Sequence, residues 1–250
     1  MVNHRKLVIL LVLLFSSCCH AFDWPNVTAK SWLVAEESGK VIQSSNPDQQ
    51  RSVASISKLM TVIVVLDKQQ PTAESIGKFT RQQLIDMALV HSDNRAAQDL
   101  CDHYPGGKTS CVRAMNVKAQ LLGMIKTSFI EPTGLSVMNV STARDLVKLV
   151  QAASSYPEIV SAASTSEVKI KIRKRWLVFR NTNPIIGKRH KFIVSKTGYI
   201  NASGGCIVLM LDTDIGKRIV IVLGSKNTHT RIPEAEFIFE NTKEFSVRDK

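Results

Sequence analysis

The chain has 250 residues, of which 44% are apolar and 22% charged, values ordinary for a folded globular protein. They exclude a largely disordered chain, a collagen-like chain and a small disulfide scaffold. The formal charge of +12 points to anionic surroundings: a nucleic acid, a membrane face or an acidic polymer.

The first residues read as an export signal. His4, Arg5 and Lys6 form a positive start, Leu7 to Phe15 is an unbroken apolar run, and small and polar residues lead to Ala21. The run is too short to span a bilayer, and a cleavage after Ala21 is expected. A lipoprotein reading through Cys18 or Cys19 is the alternative, disfavoured by Phe15 and Ser16 where a branched aliphatic is usual. Residues 1–21 contain only two cations, Arg5 and Lys6, and no acid, so the remaining chain stays strongly basic at +10. No later apolar run approaches transmembrane length, and no amphipathic anchoring helix follows the last element, so no stable membrane anchor is expected.

Residues 31–36 and 40–43 read as two strands around the Ser38-Gly39 turn. Ser55 to Leu66 is dense in apolar residues and predicts a buried helix. Leu84–Val90, Asn94–His103, Lys108–Leu122 and Thr142–Ala153 predict further helices, the last opening on Thr142-x-x-Asp145 like a capping box. Pro157 marks the start of another short helix. Cys101 and Cys111 lie at the facing ends of two helices, either paired across a short loop or as two buried thiols. From Val168 the pattern turns to period two: Val168, Ile170 and Ile172 alternate with Lys169, Lys171 and Arg173, giving a strand with one apolar face. With Arg175 the cations form a basic stripe, read as a solvated edge in preference to an anion site. Lys191–Lys196, Cys206–Leu211 and Arg218–Leu223 predict three more strands, with Cys206 a core residue. Pro233–Asn241 predicts a closing helix. The fold class is therefore α+β: an antiparallel sheet packed with helices. The expected sheet lobe comes from residues 22–54 and 164–250, with a helical lobe of 55–163 between.

Several chemistries are set aside. There is no His-Glu-x-x-His and no close Cys/His cluster, so no metal and no cofactor are expected. There is no Gly-x-Ser-x-Gly elbow. Gly107-Lys108-Thr109 lacks the first glycine of a phosphate loop, where Asp102 stands. Nucleic acid is disfavoured, since no basic helix with interleaved aromatics occurs. What remains is Ser55-x-x-Lys58 at the start of the apolar helix. That spacing puts hydroxyl and amine on one face, one turn apart, and the helix N-terminus favours negative charge near Ser55. The amine is a base only when neutral, which burial and a neighbouring cation promote. The same spacing recurs at Ser75–Lys78 and Ser166–Lys169, so it is not decisive alone. Ser92-Asp93-Asn94 at a break between helices, and Lys196-Thr197-Gly198 at the end of an apolar strand, complete an ordered set.

That set resembles the penicillin-recognising serine hydrolases, whose motifs are Ser-x-x-Lys, Ser-x-Asn and Lys-Thr-Gly. The segments ASISKLMTVIVVLD, HSDNRAA, HYPGG, FIEPTGLSVMNVSTARDL and SKTGYINASGGC are similar to low-molecular-weight penicillin-binding proteins, the D-alanyl-D-alanine carboxypeptidases and endopeptidases. The endopeptidase branch is the nearer, over about residues 30–240. The resemblance implies the fold of the serine β-lactamases and DD-peptidases. It implies Ser55 as nucleophile, Lys58 as base and Ser92 as proton relay. Asn94 would hold the substrate amide and fix Lys58. Lys196 and Thr197 would bind the substrate carboxylate, and Lys196 would help depress the pKa of Lys58. Gly198 would let the strand approach the substrate, and the N–H groups of Ser55 and Tyr199 would form an oxyanion hole.

The implied partners are peptidoglycan peptides and β-lactam inhibitors, in a periplasmic or secreted location. One departure stands out: between Ser55 and Ser92 the chain looks short, and Gln69–Thr80 lacks the strand-like piece expected there. Two other readings follow. One is a β-lactamase, for which Glu131 is the local candidate to activate water. The other is a catalytically weak peptidoglycan-binding protein.

Overall fold

The structure, a computed structural model, describes residues 27–188 and 190–242. The expected export segment lies outside these residues. The strands are β1 (Ser31–Glu36), β2 (Val41–Ser45), β3 (Arg51–Ser52), β4 (Ser75–Ile76), β5 (Phe79–Thr80), β6 (Val140–Ser141), β7 (Glu167–Ile172), β8 (Arg175–Arg180), β9 (Lys191–Ile200), β10 (Gly204–Asp212) and β11 (Arg218–Ser225). The helices are α1 (Ser57–Leu66), α2 (Arg81–Val90), α3 (Asn94–Asp102), α4 (Gly107–Leu121), α5 (Ala143–Ala153), α6 (Pro157–Ser164) and α7 (Arg231–Thr242).

Among the described residues, five strands form an antiparallel sheet in the order β2-β1-β11-β10-β9. The first strand pairs with the last, Ser31 opposite Leu223 and Glu36 opposite Arg218. Side chains alternate between two buried faces. Cys206, Val208 and Met210 join the core shared with α1 and α5, while Ile207, Leu209 and Leu211 pack with Ile232, Ile238 and Phe239 of α7. Burial on both sides explains the continuous apolar runs of β10 and β11. It also makes the sheet a rigid platform, because a one-residue slip would exchange the two faces. Glu234 of α7 closes the structure: its carboxylate accepts from Thr28 N, Thr28 Oγ1, Ala29 N and Ser225 Oγ.

On the other face, α1 runs through the centre of the helical region, touching α2, α3, α4 and α5. Every residue from Ser57 to Val65 is buried, as expected of a helix that is apolar all round. The helix begins two residues later than its sequence predicts. A tight turn at Ala54–Ile56 precedes it, with Ala54 at φ +47°. The α5 cap is half of the predicted box. Thr142 Oγ1 accepts from Asp145 N at 3.1 Å, but the Asp145 carboxylate turns away to accept from Lys126 N and Thr127 Oγ1. Helix α2 starts earlier than predicted, on a complete capping box between Thr80 and Gln83.

Three expectations are corrected. The Gln69–Thr80 segment does hold a strand-like piece, the two-residue strands β4 and β5. It is anchored by buried Arg81, whose guanidinium donates to Pro71 O and pairs with Glu74. The basic stripe is not one strand: Arg173 sits in a turn at φ +53°, and Arg175 lies on β8, opposite Ile172. That hairpin also stands outside the five-stranded sheet, packing Ile170 against the helical core beside α2. Strand β8 was missed because Trp176, Leu177 and Val178 are all exposed, so no alternation marks it.

Cys101 and Cys111 form a disulfide between α3 and α4. Cys206 is a buried free thiol. Replacing both bridged cysteines by serine should lower stability by about 2–3 kcal/mol in denaturant titration, the range for a loop of this length. An unchanged midpoint would show that helix packing alone holds α3 to α4.

Candidate active site

Lys58 is wholly buried on the first turn of α1. Its Nζ donates to Ser55 Oγ at 2.8 Å, Asn94 Oδ1 at 2.7 Å and the Thr133 carbonyl at 2.5 Å. An ammonium has three donors and no acceptor, so this cage satisfies it completely. The amide oxygen and the carbonyl can only accept. When the amine loses its proton, two N–H groups stay with Asn94 and Thr133, and the lone pair faces the Ser55 hydroxyl. Burial pulls the Lys58 pKa down to about 8, against the opposing charges of Glu131 and Asp93. The geometry therefore holds a base beside a nucleophile near neutral pH.

Each partner in the cage is fixed separately. Asn94 opens α3, where Asp93 caps the helix by accepting from Ala96 N at 2.8 Å. Ser92 takes the left-handed conformation, φ +59°, turning the chain sharply between α2 and α3. Thr133 sits in a loop organised by the Glu131 carboxylate, which accepts from Thr133 N, Thr133 Oγ1, Gly134 N, Ser136 N and Asn139 Nδ2. Asn139 extends this network to Ser57 Oγ on α1. So Glu131 is committed to loop structure rather than aimed at a water beside Ser55.

Two glycines allow the close approach. A Cβ on Gly134, at φ +82°, would lie 2.0 Å from Ala54 O and 2.7 Å from Ser55 N. A Cβ on Gly198 would lie 3.0 Å from both Ser55 N and Val53 O. Gly198 thus brings β9 against the serine-bearing turn itself, a different reason for glycine from the predicted approach to substrate. It also sets the Ser55 N–H beside the residue that precedes Tyr199. Tyr199 is exposed, with its hydroxyl donating to Asn201 Oδ1.

Lys196, also buried, donates from Nζ to Ser92 Oγ at 2.8 Å and to Thr197 O at 2.9 Å. Burial, then the charges of Lys58 and Arg231, push its pKa well below the ordinary lysine value. Burial is the first cause of the lowering at both lysines, and the repulsion between the two neighbouring ammoniums acts in the same direction. Thr197 Oγ1 donates to Thr182 Oγ1 at 2.6 Å. All eight predicted residues, Ser55, Lys58, Ser92, Asn94, Lys196, Thr197, Gly198 and Tyr199, lie on the elements that meet at this junction. Sequence reasoning missed the Thr133 carbonyl, Thr182 and Arg231. Arg231 Nη1 donates to Gly198 O at 2.8 Å from the start of α7, a third cation behind the same strand. Backbone acceptors leave no signature in side-chain identity, and a lone arginine before a helix carries no motif.

The sequence profile of the D-alanyl-D-alanine carboxypeptidase family matches residues 19–74 and 70–227. The chain belongs to this family of serine D-alanyl-D-alanine peptidases. The two matched pieces meet at 70–74, the segment that looked short. Two relatives are D-alanyl-D-alanine endopeptidases. That of Escherichia coli is 37% identical over 84% of this chain and 76% of its own. That of Pseudomonas aeruginosa is 39% identical over 80% and 72%. Penicillin-binding protein D2 of Listeria monocytogenes, solved in an ampicillin-bound form, superposes with a TM-score of 0.77 at 26% identity, covering 86% of this chain and 97% of that one. The DD-transpeptidase of Streptomyces K15, 23% identical with a TM-score of 0.76 over 90% and 98%, shares the fold.

Because Lys58 must be neutral to accept a proton, the penicillin acylation rate should rise with pH, with a midpoint near 8. A rate that falls across that range would contradict Lys58 as the base. Gly134→Ala should abolish acylation and lower Tm, since the added methyl meets backbone. Wild-type acylation in that variant would show that the serine turn is not held by this contact.

Proposed function

We propose that the chain is an exported serine DD-peptidase that cleaves D-alanyl cross-links of peptidoglycan through a Ser55 acyl-enzyme, and that penicillin acylates the same serine. The observation that carries this reading is the Lys58 cage, which leaves the lone pair of the neutral amine only the Ser55 hydroxyl to meet. In the first step Lys58 takes the Ser55 proton as Oγ attacks the D-alanyl carbonyl. The oxyanion forms against the N–H groups of Ser55 and Tyr199. Ser92, bridged to Lys196, passes a proton to the departing amine as the C–N bond breaks. Water then attacks the ester, and its proton returns along the same groups. Asn94 orients the substrate amide. The buried charge of Lys196, with Thr197, draws the substrate carboxylate to the end of β9. The location is periplasmic or secreted. In support, the N-terminal residues carry the export pattern, and a disulfide persists in an oxidising compartment. The choice of endopeptidase rests on the similarity to the two endopeptidases.

Incubating the purified mature protein with cross-linked muropeptide dimers and, separately, with a linear peptide ending in D-Ala-D-Ala tests this by mass spectrometry. Dimers should split into monomers, and penicillin should block the reaction. Release of terminal D-alanine with dimers left intact would overturn the endopeptidase assignment, and no product from either would overturn the peptidase. Lys196→Ala should cut kcat/KM by roughly 100-fold, the scale for losing a charge that acts on the developing anion.

A further inference from the structure

The tip of the β7–β8 hairpin faces the turn between β4 and β5 across a cavity of about 480 Å3. Its lining is Lys78, Ile172, Arg173, Lys174, Arg175 and Leu177, four cations with two aliphatic side chains and no acid. Elsewhere many surface cations have partners: Lys118 with Asp67, Arg144 with Asp48, Lys169 with Glu167, Lys191 with Asp212 and Lys217 with Glu37. None of the four lining cations is in an ion pair among the described residues. Like charges gathered around one hollow repel each other, and an anion entering it relieves that repulsion.

The backbone gives a second, independent sign. The hairpin turns through Arg173 and Lys174, and Arg173 holds φ +53°. Glycine or asparagine is the low-cost residue for such a turn. An arginine there keeps charge at the tip against local backbone preference. The base of the same hairpin reaches the catalytic junction. His91, the neighbour of Ser92, hydrogen-bonds the Arg180 carbonyl through Nδ1 at 3.1 Å, and Thr182, two residues beyond β8, meets Thr197. An extended polymer lying in the junction therefore has this hairpin beside it.

We propose that the cavity at the β7–β8 tip is a second, non-catalytic site that holds carboxylates of the wall polymer away from the bond being cut. The proposal rests on the peptidase reading for its choice of polymer, since peptidoglycan stem peptides carry repeated carboxylates. The site adds anchorage to an insoluble anionic substrate and contributes nothing to a short peptide that cannot span both places. Its attraction is electrostatic and weakens with salt.

The test compares the wild type with Arg173→Gly/Lys174→Ser/Arg175→Thr, in co-sedimentation with purified peptidoglycan at low and high salt. Glycine at 173 suits the turn, so the variant removes charge without a folding penalty there. Sedimentation should fall about tenfold at low salt, a scale of a few weak exposed pairs. The two proteins should converge at high salt, while cleavage of a short soluble peptide stays equal. Equal sedimentation and equal cleavage of intact peptidoglycan by both proteins would overturn the proposal. So would a loss of binding to heparin that leaves peptidoglycan binding unchanged, which would mark a general cation patch. Salt-sensitive, tip-dependent binding by a wild type that cleaves no peptide would uphold this site and overturn the peptidase reading instead.

Discussion

A buried ammonium with three acceptors organises this protein. Removing a charge from water costs far more than a single hydrogen bond returns, so Lys58 requires every one of its contacts to be made. Those contacts come from three separate places in the chain: the turn before α1, the start of α3 and the 131–139 loop. Each place has its own fastening. Asp93 caps α3 and Glu131 gathers five donors of its loop. Gly134 and Gly198 let two backbones close on the serine turn. Pulling any of these apart leaves a charge underground without a partner, which couples the geometry of the site to the stability of the fold.

The sheet supplies the opposite wall. Its two buried faces fix β9 in register, and β9 brings Lys196 under Ser92 and Gly198 against Ser55 N. Arg231 reaches the same strand from α7 on the far face. Three cations, Lys58, Lys196 and Arg231, are thus held largely out of water behind one opening. Burial, and then their mutual repulsion, depresses Lys196, and an anion at the junction relieves that repulsion, so the field there is positive. Such a field favours an oxyanion and a carboxylate, the two negative charges that cutting a D-alanyl peptide bond brings there. It is preorganised, because the sheet and caps hold it before any ligand arrives.

Much of this was legible in the residues. Alternation and apolar density located the strands of the main sheet and most helices, since most of those elements bury one or both faces; the half-buried edge strand β2 was marked instead by the Ser38-Gly39 turn beside it. The motif residues were legible because nucleophile, base and relay need particular side chains at particular spacings. What escaped was written in backbone. The Thr133 carbonyl acts through an atom every residue has. The turn at Ala54 depends on φ, and β8 exposes the apolar residues that would have marked it. The Thr80–Gln83 capping box was present in the sequence and would have placed the start of α2. Half of the Thr142–Asp145 box failed because tertiary donors at Lys126 and Thr127 compete for the Asp145 carboxylate.

The central claim is that one serine, activated by the neighbouring lysine, forms a covalent ester. Intact-mass measurement of the purified protein before and after excess penicillin tests it most directly. The account predicts a single adduct of one penicillin on the wild type and none on Ser55→Ala. An adduct of the same mass on Ser55→Ala, or none on the wild type, would contradict it.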